Sequence, residues 1–451
     1  PANPGSGRVR RWRAAAAAVA ALAAIASVTG RSLAASSSVL ITRIAPPGVD
    51  PNGASSDPSV SATGRFVAFV SRASNFGPLD PNGPVPDVYL FDGDAQRATL
   101  VSSGLGGAGA NGPSSAPSIS ADGSTIAFAS RANNLVPGGS GHHENIFIRL
   151  ADGTIFQISH SVNFGPPDGD SYQPVISADG RYVAFTSTAD DLVPGDHNKA
   201  ADVFVSSLIT NKIQRVSVSS SGQEGNGPSS NPAISATGGF VSFDSAANDL
   251  VPHDTNGVAD VFVRDMHAGT TRRASLSSSS QQQNAAVAPP YSQISSISAD
   301  GRYVAFDSDA TNLVPGDVNG HTDVFRHDMR TGRTILVSRN SHGVEGDNDS
   351  FAPSMSADGT KVTFDSYASN LAQPWAPVVN VFVRDIAHGR TLTVDVAQNG
   401  SPRDAELVTN FLQRPAISAD GRVVVFASGA DNLVPGDYNG VADLFTRVIS
   451  R

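Results

Sequence analysis

The chain has 451 residues, 31 Lys and Arg against 41 Asp and Glu, a formal net charge of −10 and 39% apolar residues. Such a composition belongs to a folded globular chain and excludes a disordered one. Cysteine is absent, which excludes disulfides, thiolate metal sites and cysteine nucleophiles together.

Residues 1–35 stand apart. Arg8, Arg10, Arg11 and Arg13 make a basic start. Ala14 to Gly30 is an Ala-rich apolar run too short for a comfortable membrane span, and Ser32-Leu33-Ala34-Ala35 offers small residues for cleavage. The segment reads as a secretory signal peptide, with the Arg-Arg pair before Trp12 hinting at a twin-arginine route; a retained anchor helix is the alternative. On the leader reading the mature chain, 36–451, is secreted or periplasmic. It keeps 26 basic and 41 acidic residues, a charge of about −15, which argues against nucleic acid or anionic lipid as partner. No second long apolar run follows, so no membrane span is expected in it.

From residue 58 onward the chain repeats itself. The pattern Ser-Ala-Asp-Gly-Arg-Tyr-Val-Ala-Phe, seen at Ser177 to Phe185, recurs with its glycine at Gly64, Gly123, Gly180, Gly238, Gly301, Gly359 and Gly421, at spacings of 57 to 63 residues. A period on this scale means an array of like supersecondary units sharing one continuous core. Within residues 232–277, four short strands are expected: Pro232 to Ser235, Phe240 to Asp244, Asp260 to Arg264 and Thr271 to Leu276. No helical period appears. Seven such units predict an all-β chain, a seven-bladed β-propeller of four-stranded antiparallel blades over 36–451.

The turn between the first two strands is Ala-Asp-Gly in five repeats and Ala-Thr-Gly at Ala62 and Ala236. A type I turn followed by a left-handed glycine suits both versions. The second strands carry Phe69, Phe128, Phe185, Phe243, Phe306, Phe364 and Phe426; the third carry Tyr89, Phe147, Phe204, Phe262, Phe325, Phe382 and Phe445. These rings read as core between blades. The seventh unit stops before a fourth strand, and Val39 to Ile44 resembles the missing one. The chain's start is therefore expected to complete the last blade and remove its open edge.

The second signature is a loop between the second and third strands, Asp-x-Asn-x-x-x-Asp. It occurs as Asp196/Asn198/Asp202, Asp254/Asn256/Asp260, Asp317/Asn319/Asp323 and Asp437/Asn439/Asp443, in a longer form at Asp80/Asn82/Asp87, and is lost in repeats two and six. Alternating Asp and Asn oxygens on a tight turn suit Ca²⁺, bound several times and therefore as a structural ion. The alternative is an Asx turn whose last Asp ties the loop to the third strand. The loops from the fourth strand to the next blade (Asp168, Asp170, Glu224, Glu345, Asp347 and Asp349) are expected on the same face, making it acidic. Trp375, in the altered loop of repeat six, is a candidate partner anchor. No catalytic motif stands out: no Gly-x-Ser-x-Gly elbow is present, and no histidine has a metal-binding spacing with a partner.

The runs Pro-x-(Ile/Val/Met)-Ser-Ala-Asp-Gly-Arg-x-Val-Ala-Phe and Asp260-Val-Phe-Val-Arg-Asp265 resemble the repeats of the TolB-like propellers, relatives of the WD-repeat class, over roughly residues 39–449. The resemblance implies the fold. It leaves function open among protein-binding scaffolds, peptidase caps and sugar-acid lyases. TolB itself carries an extra N-terminal α/β domain, and the roughly 20 residues between leader and first repeat leave no room for one, so its role is not carried over. The expected job is a monomeric binding or interaction scaffold offering acidic loops and a central channel to a protein or extracellular ligand. The alternatives are a carbohydrate-active lyase or hydrolase at the channel mouth, which would need unique carboxylates, His or Arg gathered on the axis, and a Ca²⁺-stabilised structural or adhesive surface protein.

Overall fold

The computed structural model describes residues 41–76, 82–107, 109–285, 294–404 and 414–449. The leader, Val39, Leu40 and Asp80 lie outside the described residues. Seven four-stranded antiparallel sheets account for all named strands, and among the described residues the single helical element is a 3₁₀ turn at Leu105–Gly107. Blades one to six each run first to fourth strand in sequence order. The last sheet takes three strands from the chain's end (Ala416–Ile417, Val423–Ser428 and Asp443–Val448) and its fourth, Ile41–Arg43, from the beginning. Ile41 pairs with Arg447 and Arg43 with Phe445, and the Ile41 side chain joins the apolar cluster between blades six and seven. The expected closure is present.

Closure of the ring is also written in the backbone. The alanine of each Ser-Ala-(Asp/Thr)-Gly turn meets its successor: Ala62 N–H donates to Ala121 O (3.0 Å), Ala121 to Ala178 (2.9 Å), Ala236 to Ala299 (3.1 Å), Ala299 to Ala357 (2.8 Å) and Ala357 to Ala419 (3.0 Å). Asp179 N–H reaches Ala236 O, and Asp420 N–H returns to Ala62 O at 3.3 Å. One face of the disc is thus a closed circuit of hydrogen bonds. Within each turn the glycine N–H donates to the serine carbonyl, and the glycine φ is positive in all seven. The serine hydroxyl accepts the N–H five residues on, as Ser177 does from Tyr182 at 3.0 Å. Where Asp follows, that hydroxyl donates to it, as Ser177 to Asp179 at 2.6 Å. The glycine has a second reason. A Cβ on Gly301 would lie 2.3 Å from Cγ of Phe240 in the preceding blade, so only a residue without one lets the blades close up.

The rings stack in pairs across the second and third strands, Phe128 on Phe147 at 5.7 Å and Phe185 on Phe204 at 5.9 Å between centroids, and all seven second-strand rings are buried. They belong to the apolar clusters that lie between neighbouring sheets. First strands begin earlier than the sequence suggests: Ser229–Ile234 in blade four, where Pro232 marked the expected start. A bulge between Ser230 and Ala233 absorbs the proline, with Asn231 at φ 50°. Proline costs nothing here, because the missing N–H falls inside a bulge. Fourth strands are shorter than expected, Thr270–Arg273 in blade four.

Candidate functional site

The loops between second and third strands do share a face with those leading to the next blade, and hydrogen bonds join the two sets. In blade three the Asn198 amide donates to Asp202 (3.1 Å) and to the Gly225 carbonyl (3.0 Å), while its oxygen accepts from Ala200 N–H (2.8 Å). Asn256, Asn319 and Asn439 repeat this bracing, onto Asp260, Asp323 and Asp443 and onto the carbonyls of Gln283, Gly346 and Pro51. Each asparagine oxygen accepts the N–H two residues on. The four asparagines are therefore Asx-turn braces, and the acids are what remain to face a cation.

In three of the four loops the cation is already present as arginine. Arg215, on the fourth strand of blade three, sits 3.1 Å from Asp196 and 3.9 Å from Asp202, and also bonds Glu224. In blade four Arg273 lies 2.7 Å from Asp254 and 3.4 Å from Asp260. In blade seven Arg43 bridges Asp50 (2.8 Å), Asp437 (2.9 Å) and Asp443 (3.1 Å), so the closing strand supplies its own pin. Arg215, Arg273 and Arg43 face Phe204, Phe262 and Phe445 across the sheet. Blade six has a variant clasp: Asp395 stands where other blades carry Ser217, Ser275 or Ser338, and the buried Arg403 pairs with it at 2.7 Å. Pairing offsets the cost of desolvating guanidinium and carboxylate, and removing one partner leaves the other buried and uncompensated.

Blade five has the same acids and no pin. Leu336 faces Phe325 at the arginine position and packs into the apolar cluster around Phe306. Asp317, Asp323 and Glu345 keep carboxylate oxygens within 4.8 Å of one another. Burial, with Glu345 adding repulsion, raises Asp317 to about 6. Burial raises Asp323 to about 7 against the pull of Ser338 and Asn319, with Asp317 and Glu345 pushing the same way. The same carboxylate spacing occurs around Arg215 (Asp196, Asp202, Glu224) and around Arg43 (Asp50, Asp437, Asp443).

A second group gathers at the innermost strands. Arg414 of blade seven occupies the bulge position that Asp57 holds in blade one. Its guanidinium feels Asp307, Asp244 and Asp57. Burial raises Asp57 to about 6, Asp307 to about 6 and Asp244 to about 7. Asp307 accepts the N–H groups of Ile294 (2.8 Å) and Ala352 (3.0 Å), tying the inner strands of blades five and six. The matching second-strand position is acidic again at Asp365 in blade six, which burial also raises, and is Val70, Ala129, Thr186 and Ala427 in the remaining four blades. The repeat pattern hid it, because single departures within a repeat look like drift.

Trp375 is half-buried and packs on the apolar cluster of blade six around Ala368, Leu371 and Phe382. The exposed large apolar side chains are elsewhere. Among the described residues six of the eight, Leu105, Val162, Phe164, Val318, Val344 and Tyr438, sit on this same loop face, and Ile209 and Val448 lie at the other. Val318 and Tyr438, the middle residues of Asp-x-Asn, are each 84% exposed.

No family model matches the chain, and no curated protein is detectably similar in sequence. Solved structures do share the fold. An oligogalacturonate lyase from Vibrio parahaemolyticus aligns at TM-score 0.54 and 12% identity over 91% of this chain and 93% of its own. An oligogalacturonate lyase in complex with manganese aligns at 0.54 and 14%, over 92% and 94%. TolB from Acinetobacter baumannii aligns at 0.41 and 16%, over 74% of this chain and 64% of its own. The seven-bladed propeller fold is consistent with the TolB-like resemblance of the repeats. Identities this low speak for fold alone. Among the described residues no helix is long and apolar enough to cross a membrane.

Proposed function

We propose that the chain is an exported, monomeric binding scaffold whose loop face docks a protein or other extracellular ligand. One observation carries the reading: among the described residues, six of eight exposed large apolar side chains stand on that face, two of them, Val318 and Tyr438, at the tips of asparagine-braced loops, the second of which Arg43 pins. Apolar tips on rigid acidic loops are what a docking surface requires, because little side-chain or backbone freedom is lost on binding. Metal fits this reading as a structural Ca²⁺ that orders a loop. The test compares capture of envelope or medium components by the native chain, by a Val318→Ser/Val344→Ser/Tyr438→Ser variant and by an Ile209→Ser/Val448→Ser control. A component retained by native and control, and lost by the tip variant at unchanged Tm, supports the scaffold; equal retention by all three refutes the assignment of this face.

The enzyme reading has its own support in the axial group of Arg414, Asp57, Asp244 and Asp307. Carboxyls raised to about 6 and 7 beside a guanidinium suit proton transfer next to an anionic sugar. Release of unsaturated products from oligogalacturonate, abolished in Arg414→Ala, would favour this second reading over the first.

A further inference from the structure

We infer that the second-to-third-strand loop of blade five is a single binding site for a hard divalent cation of the calcium class, held by Asp317, Asp323 and Glu345 where sister blades hold a guanidinium. The inference rests on the structural-metal reading above and narrows it from four loops to one.

The sister blades define what the pocket is for. Around Arg215, three carboxylates converge on one cation, and the same holds around Arg43. In blade five the backbone, the asparagine brace and all three acids are retained, and the cation alone is replaced, by Leu336. Asp317 makes the need for a ligand concrete. It is 8% exposed, its carboxylate converges with the other two, and no hydrogen bond or ion pair joins it to any described residue. Its counterparts Asp196, Asp254 and Asp437 all bond an arginine. Asp323 is held from both sides, by Ser338 and by Asn319. Glu345 accepts the Val318 and Asn319 N–H groups at 3.1 and 3.0 Å. Two acids are thus preset and the third is aimed at them. The nearest imidazole, His321, is turned to Asp349 at 2.9 Å.

The donor set is oxygen alone, which suits Ca²⁺ and disfavours the softer metals that prefer nitrogen or sulfur. Two buried carboxylates and a half-buried third, converging with no counter-charge, are expensive. A bound divalent ion restores, in this blade, the electroneutrality that arginine provides in the others.

Equilibrium dialysis with radioactive calcium, on the whole chain, decides the matter. The native protein is expected to take up one Ca²⁺, with a Kd of about 10⁻⁴–10⁻³ M, the range of extracellular modules, and to gain Tm in millimolar CaCl₂. Leu336→Arg, which installs the sister-blade pin, is expected to bind none and to melt without added calcium at or above the native temperature. Arg215→Leu, which empties the blade-three pocket, is expected to bind a second equivalent. Uptake of three or four ions by the native chain overturns the single site while leaving the multi-loop reading standing. Uptake of none overturns both, and an unchanged stoichiometry in Leu336→Arg places the ion elsewhere. Partner capture by the loop tips is scored separately, so a failure here leaves the scaffold reading untouched.

Discussion

The two faces of the disc use the same seven-fold repeat in opposite ways. On the turn face every blade does the same thing: a left-handed glycine, a serine bracing the next strand and an alanine bonded to the neighbouring blade. On the loop face the blades diverge. Arginine pins blades three, four and seven from the fourth-strand position, Arg403 serves blade six, and Leu336 leaves blade five unpinned. The turn face sets the spacing between blades, so a change in any one copy strains the circuit. Outside blade seven, whose pin Arg43 sits on the closing strand, the loop pins take no part in the circuit that closes the ring.

The harshest break of that contrast is removal of Ile41–Arg43. It strips the last sheet of its outer strand and blade seven of its pin in one step. Deletion of residues 36–48 is expected to give an unfolded or aggregating product by size-exclusion chromatography; a monomer of native Tm would contradict the closure. Next comes a matched pair of glycines. Gly301→Val forces a Cβ to 2.2 Å from the Phe240 ring at a φ of +73° and is expected to cost at least about 3 kcal/mol in urea unfolding. Gly316→Ala, on the loop face at φ +84° with nothing within 4 Å, is expected to cost only about 1 kcal/mol. Equal costs would erase the distinction between faces.

Arg273→Leu tests the pins. It leaves Asp254 and Asp260 buried without their cation and is expected to destabilise by about 3 kcal/mol. A neutral result would reduce the arginines to decoration. The smallest effect is that of pH. Asp317 and Asp323 titrate higher in the folded state, about 6 and 7, than in the unfolded chain, chiefly through burial. Between about pH 4 and 7 the folded state therefore holds more protons, and stability falls as pH rises through that window. Without calcium, Tm is expected to be lower at pH 8 than at pH 5, and calcium is expected to recover part of the difference in the native chain and none in Leu336→Arg.

Much of this was legible in residues alone. The blade count, the glycine turns, the paired rings and the borrowed strand all follow from local pattern, because each repeat restates the same backbone needs. Asn198 and its counterparts were legible only as a choice between ligand and brace, and the structure shows the bracing hydrogen bonds. Nothing in the local pattern singles out Arg215, Arg273 and Arg43. Their partners lie on other loops, and in the case of Arg43 and Asp443 they are 400 residues away. For Trp375 the altered loop was legible and the cluster on which the ring rests was not.

Sequence by itself determined a ring of seven sheets stitched shut by its own beginning, because period, turn chemistry and a missing last strand are properties of the chain read locally. Only the tertiary structure decided where charge is neutralised. Whether a buried carboxylate meets an arginine, a proton or nothing depends on which strands face one another across a sheet. Leu336 becomes informative only once it is seen to stand where three other blades place a cation.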